Sequence, residues 1–137
     1  MNYWLLKTEP NDYSYADLVT AGSDVWDGVR NHQAQSNLRK MTVGDLAFIY
    51  HTGKEKAIIG VADVIAAAFP DPTNVSYQAV KLRAQYRLPQ PVTLKEIKAL
   101  PQFAHWALVR QARLSVMPVT PAHWHEVINL ATPTDSQ

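Results

Sequence analysis

The chain has 137 residues, a formal net charge of +1 and no cysteine. This length suits one domain, and 47% hydrophobic with 18% charged residues is typical of a globular rather than a disordered protein. The lack of cysteine excludes disulfides, a thiol nucleophile and thiolate metal ligands. Neither a signal peptide nor an apolar run of roughly 20 residues, as a membrane span requires, is present. We therefore expect a soluble, cytoplasmic protein without a membrane partner.

The first half of the chain is predicted to alternate strands and helices. Ser14 can cap a helix that Gly22 ends, and Asn31 or a near neighbour begins a second helix. The polar residues 52–56 separate two apolar runs, which indicates a β-hairpin. The predicted elements, in chain order, are a strand over 3–7, a helix over 14–22, a helix from about 31, and strands over 46–51 and 57–67.

The segment 80–88 alternates apolar residues at even positions with polar residues at odd ones. This period of two predicts a strand with one face on the core and the other towards solvent. Lys81, Arg83 and Arg87 would share the outer face, and we take them as candidate contacts with a nucleic-acid backbone. They belong to a basic region, because residues 81–113 contain seven Lys or Arg and one acidic residue, Glu96. A solvated surface would carry a similar pattern.

The last third is predicted to contain two helices and one more strand. Thr93 and Glu96 form a capping box for a short helix that ends before Pro101. A strand is predicted over 109–117. Thr120 and Pro121 begin the final helix, whose inward side chains are Trp124, Val127, Ile128 and Ala131. We place the end of the domain at residue 131 and predict a frayed tail over 132–137.

The loop over residues 26–31 combines an indole, a carboxylate, a guanidinium and a primary amide. Gly28 interrupts both a helical and a strand pattern. A flat apolar ring beside hydrogen-bond donors and acceptors suits a planar ligand such as a base. The alternative is that Trp26 fills the core while Asp27 and Arg30 pair locally.

Catalytic motifs are absent from the sequence, which has no Gly-rich phosphate loop, no HExxH and no G-x-S-x-G. His123 and His125 are two residues apart on a predicted helix, so they point to different sides and do not suit one metal ion. Asp71, between two prolines, is most simply a turn residue. We therefore expect no enzyme activity, no cofactor and no metal. Aromatic rings near loops or strand ends could instead stack on a base, whereas Trp4, Trp106 and Trp124 suit the core.

Five motifs occur in an order and spacing that resemble the EVE domain family. They are YWLLKTEP over 3–10, WDGVRN over 26–31, FIYHT over 48–52, AFPDPT over 68–73 and RLSVMP over 113–118. The resemblance implies an α+β fold with a PUA-like mixed β-barrel of five or six strands flanked by short helices, related to YTH and ASCH domains. It also implies that residues 1–131 form a single EVE domain.

The resemblance also implies a function. YTH domains hold a methylated base in an aromatic cage, and some EVE members are linked to modified cytosine in DNA. We therefore expect a non-catalytic module that binds DNA or RNA and reads a modified base, such as a methylated cytosine, extruded into an aromatic pocket. Trp26, Asn31 and His51 are expected to border this pocket together. The candidate pocket residues are Trp26, Asp27, Gly28, Arg30, Asn31, Tyr50, His51, Thr52, Phe69, Tyr77, Arg113 and Ser115.

Two alternatives stay open at this stage. The same pocket could serve a small-molecule or nucleotide sensor, and, less favoured, an enzyme acting on modified nucleotides. His32, Gln35, Thr52 and Tyr77 depart from the residues that many relatives carry, so the identity of the ligand is the open point. The sequence does not indicate an oligomeric state.

Overall fold

The computed structural model describes residues 1–133, and the elements below refer to that part of the chain. The strands are β1 Tyr3–Thr8, β2 Ser23–Trp26, β3 Leu46–His51, β4 Ala57–Asp71, β5 Asn74–Thr93 and β6 Val116–Val119. The helices are α1 Tyr15–Ala21, α2 His32–Arg39, α3 Leu94–Lys98, α4 Ala107–Arg110 and α5 Pro121–Ala131, with a 3₁₀ turn at Pro101–Phe103. The predicted tail over 132–137 lies mostly outside the described residues.

The strands form one mixed sheet in the order β2-β5-β4-β3-β1-β6. The pair β1 and β3 is parallel, and the other four neighbouring pairs are antiparallel. The predicted α+β class, with a mixed sheet of about six strands and short helices, is confirmed. In the described part of the chain β2 and β6 are the two edges, so the sheet is open and the pairing does not close it into a barrel.

The helix starts follow the predicted caps. The Ser14 hydroxyl accepts a hydrogen bond from the Asp17 amide at 3.1 Å, and the Asn31 side-chain oxygen accepts one from the Ala34 amide at 2.9 Å. Thr93 caps α3 in the same way, and the Thr120 hydroxyl caps α5. These short polar side chains satisfy amides that the first helical turn leaves without a partner. The local sequence therefore determines where these helices begin.

The strand predicted over 109–117 is wrong for most of its length. The Trp106 carbonyl accepts hydrogen bonds from the amides of Val109 and Arg110, which starts the short helix α4. The chain then turns, and β6 begins only at Val116. In 109–114 only Leu114 is buried and residues 110–113 are exposed, so the segment lacks the alternating burial of a strand.

The outer face predicted for β5 is interrupted by a β-bulge. Ala84 and Tyr86 oppose two consecutive residues of β4, so Gln85 is an extra residue in β5. Arg83 lies opposite Asp63 and Arg87 opposite Gly60. Because residues 60 and 63 of β4 point to opposite faces, Arg83 and Arg87 do too. The prediction that Lys81, Arg83 and Arg87 share one face is wrong for Arg87, and Tyr86, predicted to be buried, is 49% exposed.

Helix α1 packs closely on the centre of the sheet through Tyr15. Its buried hydroxyl donates to the carbonyl of Val61 at 2.7 Å and lies 2.9 Å from the carbonyl of Tyr86. Gly60 lies directly beneath the ring, and a Cβ atom there would overlap the ring carbons. Glycine at this position therefore permits the close approach of helix and sheet.

The remaining core lies on both sides of β1 and β3. Trp4, Trp106 and Trp124 are each 4% exposed, which confirms their predicted packing roles. The Trp124 ring stacks on Phe48, with ring centroids 3.7 Å apart. Within residues 1–133, no helix has the length and apolar character needed to cross a membrane.

Candidate functional site

A cavity of about 470 Å³ opens where β1 and β2 end and the loop after β2 begins. Two aromatic rings, two cations and two carboxylates contribute to its wall, together with the backbone of the loop. Ser115, immediately before β6, closes the opposite side. The lining residues are Lys7, Thr8, Asp12, Tyr13, Val25, Trp26, Asp27, Gly28, Val29, Arg30 and Ser115.

The loop that forms this wall is held by the carboxylate of Asp71, at the end of β4. Asp71 is fully buried and accepts hydrogen bonds from the amide of Gly28 at 2.9 Å and from Arg30 Nη1 at 3.0 Å. Its second oxygen accepts from the amide and the hydroxyl of Thr73. Gly28 has a φ of +79°, a backbone conformation that glycine adopts without strain. One buried carboxylate thus fixes the shape of the loop.

The charge of Asp71 is stabilised by these donors. Burial alone would raise the pKa of its carboxyl, but the hydrogen bonds from Thr73, Gly28 and Arg30 outweigh burial and hold the pKa well below its usual range. Asp71 is therefore ionised wherever the protein is folded near neutral pH. Asp71 is the turn residue expected from the sequence, since its carboxylate accepts from the Thr73 amide, and it also anchors the loop over 26–31.

Arg30 is held on two sides. Its Nη2 donates to the Thr73 hydroxyl at 3.0 Å, and its guanidinium carbon lies 4.5 Å from the centroid of the Tyr77 ring. The alternative in which Asp27 pairs with Arg30 does not hold, since the partner of Arg30 is Asp71. The Arg30 side chain remains 38% exposed, so it can also contact a ligand.

Trp26 both packs in the core and borders the cavity. It is 7% exposed, and the Tyr13 ring meets it edge to face with centroids 6.0 Å apart. The Tyr13 hydroxyl donates to Asp24 at 2.6 Å. Burial, followed by this hydrogen bond and the nearby negative charges, raises the pKa of Tyr13. Tyr13 therefore stays protonated and fixes the position of the Trp26 edge.

Lys7 brings a cation to the opposite wall. Its ammonium donates to the carbonyl of Ala112 at 3.0 Å and lies 5.6 Å from the centroid of the Tyr50 ring. Burial lowers the pKa of the Lys7 amine. Tyr50 itself is 3% exposed, so it supports Lys7 from behind rather than presenting a stacking face.

Several candidate residues have structural partners outside the cavity. His51 Nε2 accepts the amide of Tyr15 at 2.9 Å, and its Nδ1 lies 3.1 Å from Glu55, so both ring nitrogens are engaged. Thr52 lies 3.3 Å from a carboxylate oxygen of Glu9. Asn31 caps α2 and borders a separate depression together with Arg113. Trp26, Asn31 and His51 therefore do not border one cavity.

The other candidate residues also divide into those that line the cavity and those that lie outside it. Trp26, Asp27, Gly28, Arg30 and Ser115 line the cavity. Tyr77 lies behind Arg30, and Phe69 pairs with Ala79 along the hairpin of β4 and β5.

The cations of β5 occupy different surroundings. Arg83 donates to both carboxylate oxygens of Asp63, at 3.1 and 2.8 Å. Arg87 lies against the Tyr15 ring, with its guanidinium carbon 5.4 Å from the centroid. Lys81 is partly exposed beside β2, opposite Val25.

Six lining residues were not among the sequence candidates for the pocket: Lys7, Thr8, Asp12, Tyr13, Val25 and Val29. Lys7 and Tyr13 line the cavity, and Gln35 supports it by donating to the carbonyl of Val29 at 2.7 Å. Lys7 lies in the first motif at the end of a predicted strand, and this position was the sequence signal that could have indicated a role in the pocket. Tyr13 and Gln35 gave none, because their roles depend on contacts between distant segments.

Known proteins with similar sequences share this fold. The EVE domain family model matches residues 2–130. Human thymocyte nuclear protein 1 is 30% identical, with 94% of this chain and 73% of that protein covered. A crystal structure of human THYN1 protein in complex with 5-methylcytosine-containing DNA has a TM-score of 0.90 at 26% identity, covering 98% of this chain and 100% of that one.

Two further solved structures show how far the structural similarity extends. A protein from Agrobacterium tumefaciens has a TM-score of 0.92 at 39% identity, covering 96% of this chain and 93% of that one. An ASCH protein from Zymomonas mobilis reaches 0.58 at 14% identity over 95% of this chain and 99% of that one, a likeness of fold alone. The family match spans nearly the whole chain, and the chain therefore belongs to the EVE domain family.

Proposed function

We propose that this chain is a non-catalytic nucleic-acid-binding module that reads a modified base, of the methylated cytosine type, inserted into the cavity between β1 and the loop over 26–31. The observation that carries the proposal is the lining of that cavity, where aromatic rings and cations lie side by side. A relative with the same fold has been crystallised with 5-methylcytosine-containing DNA. The volume of about 470 Å³ suits one base with part of its sugar, and small-molecule sites usually span roughly 300–1,000 Å³.

The cavity offers each kind of contact that an extruded cytosine needs. Trp26 and Tyr13 supply apolar surface for the ring and its methyl group. The Asp27 carboxylate can accept from the exocyclic amine, and Arg30 can donate to the base carbonyl or to a phosphate. Asp71 holds the loop in place beforehand, which reduces the entropy lost on binding.

A nucleoside sensor is the second candidate, and the charge of the cavity favours it. Asp12 and Asp27 equal Lys7 and Arg30 in number, and Asp71 already pairs with Arg30, so the cavity itself attracts phosphate only weakly. Ionic strength separates the two functions. Affinity for a polynucleotide falls steeply with added salt, whereas affinity for a neutral nucleoside changes little.

The test is a titration of the protein with duplexes that differ only in one cytosine, which is unmodified, 5-methylated or 5-hydroxymethylated. Fluorescence anisotropy at several salt concentrations gives affinity and salt dependence together. We expect tighter binding of one modified duplex. The control is Tyr86→Ala, at an exposed position that does not line the cavity, and it should keep the same preference. Equal affinities for all three duplexes would contradict base reading. Strong binding of the free modified nucleoside without salt dependence would favour the sensor.

A further inference from the structure

A second basic surface lies between the turn of the β3–β4 hairpin and α3. Four lysines surround a hollow of about 450 Å³, and we refer to it as the lysine hollow: Lys54, Lys56, Lys95 and Lys98. The amide of Leu94, the first residue of α3, donates to the carbonyl of Lys56 at 2.8 Å. This bond ties the turn to the helix, so the lysines of the two segments remain next to one another.

The lysine hollow keeps a net positive charge, because its four lysines outnumber Glu55, the one acidic residue that lines it. Its two acidic neighbours are engaged elsewhere, since Glu55 contacts His51 at 3.1 Å and Glu96 accepts from the amide and the hydroxyl of Thr93 at 3.0 Å. Across residues 1–133, the ion pairs use Arg30, Arg83 and His51 as the basic partners. The four lysines of the hollow therefore have no carboxylate within 4.0 Å in that part of the chain.

The lysine hollow is connected to the cavity along the surface. Thr8 lines the cavity, and its neighbour Glu9 borders a shallow depression that also includes Gly53, Lys54 and Glu55. Lys54 and Glu55 in turn line the lysine hollow. The Glu9 carboxylate faces the Asn11 amide and the Thr52 hydroxyl, at 3.2 and 3.3 Å, so its charge is partly satisfied within the protein. A nucleic-acid strand that leaves the cavity can follow this route.

We propose that the lysine hollow binds the phosphodiester backbone of the same polynucleotide whose base enters the cavity. The inference rests on the proposed function and adds the surface that holds the strand. The cavity is balanced in charge, so it binds phosphate only weakly, and the lysine hollow supplies further phosphate contacts. Lysine ammoniums on flexible stems suit backbone contacts that do not depend on sequence. A concave surface with cations on two sides fits a nucleic-acid strand better than it fits a flat lipid bilayer.

The test compares two double substitutions that remove equal charge. Lys95→Gln with Lys98→Gln alters the lysine hollow and leaves the Thr93–Glu96 cap intact. Arg39→Gln with Lys40→Gln removes two exposed cations at the end of α2 and is the control. Each protein is titrated with a long duplex and with a single-stranded trinucleotide, both containing 5-methylcytosine, and with the unmodified duplex. Thermal melts verify that both variants fold.

For the long duplex, we expect the lysine variant to reduce the slope of log affinity against log salt by about 0.9 for each phosphate that it no longer neutralises. The control should keep the wild-type slope. The trinucleotide has only two phosphodiester groups, both next to the base in the cavity, and should bind the lysine variant as it binds the wild type. The ratio of affinities for modified and unmodified duplex should also stay the same, because base reading takes place in the cavity.

Other outcomes separate the two proposals. A wild-type slope in the lysine variant, or an equal reduction in the control, would overturn the backbone contact and leave base reading intact. A reduced slope only in the lysine variant, without any preference for the modified base, would support the backbone contact and contradict base reading. If the wild type binds no oligonucleotide, both proposals fail. Weaker binding to phosphatidylserine vesicles with duplex binding unchanged would assign the lysine hollow to a membrane and overturn the inference.

Discussion

Replacing Asp71 by asparagine tests whether one buried carboxylate holds the loop of the cavity. In the wild type, one carboxylate oxygen accepts from the amide of Gly28 and from Arg30, and the other accepts from the amide and the hydroxyl of Thr73. Asparagine has nearly the same shape but only one acceptor oxygen. Its amide nitrogen must therefore face donors.

The loss of stability follows from the less costly of the two orientations of the asparagine side-chain amide. With the amide nitrogen towards Thr73, the Thr73 hydroxyl can rotate and accept, but the Thr73 amide loses its partner. A fully buried donor without a partner costs about 1–3 kcal/mol, but Thr73 is exposed and water can reach its amide, so this loss lies near the lower end of that range. Loss of the charge opposite Arg30 adds to it. Because Arg30 is 38% exposed, water compensates part of that loss. We expect Asp71→Asn to lower the free energy of unfolding by about 1–3 kcal/mol at pH 7.

The pH dependence gives an independent check. The pKa of Asp71 is depressed in the folded state, so its stabilisation is present above the unfolded pKa of about 4 and is lost as the pH falls further. The wild type should therefore lose about 1.4 kcal/mol relative to Asp71→Asn for each pH unit below about 4. Urea unfolding of both proteins at pH 7 and in the acid range measures both quantities.

A difference below about 1 kcal/mol at pH 7 would refute the reasoning, because the carboxylate would then contribute no more than a surface group. A difference that stays constant in acid would show that the effect of the substitution is not linked to ionisation. In both cases the loop would owe its shape to other contacts.

Three further predictions concern the cavity and the sheet. Trp26→Ala should weaken binding of the preferred modified duplex by about 1–3 kcal/mol and leave the salt slope unchanged, measured by anisotropy on protein shown to be folded; full retention of the preference would exclude Trp26 from the site. Gly60→Ala should lower the free energy of unfolding by about 2 kcal/mol or more in urea melts, since the new methyl group overlaps the Tyr15 ring, and wild-type stability would contradict that overlap. Arg83→Gln should change the salt slope by less than about half a unit, because Asp63 already neutralises this cation; a drop of a full unit would show that Arg83 contacts phosphate.

Local signals predicted the beginnings of the elements well. Ser14, Asn31, Thr93 and Thr120 each begin a helix as expected, because a cap depends on residues within one turn. The fold class followed from the family resemblance. Features that depend on distant partners did not emerge from the sequence.

The bulge at Gln85 illustrates the limit for the fold. Alternation in β5 alone places Arg87 beside Arg83, and only the register against β4 reveals the extra residue. His51 illustrates the limit for the candidate site. Its position at a strand end suggested a ligand contact, but the Tyr15 amide, 36 positions earlier, occupies its Nε2.

The position of β1 between β3 and the edge strand β6 has a consequence for the order of folding. The first strand of the chain pairs with β3 on one side and with β6, more than a hundred residues later, on the other. Chain entropy makes such a late closure slow, so β1 keeps one unpaired edge until β6 arrives. Lys7 on β1 and Ser115 before β6 face the same cavity, which is therefore completed only in the last step. We therefore expect a partly folded chain, in which β6 is not yet paired, to lack one wall of the cavity.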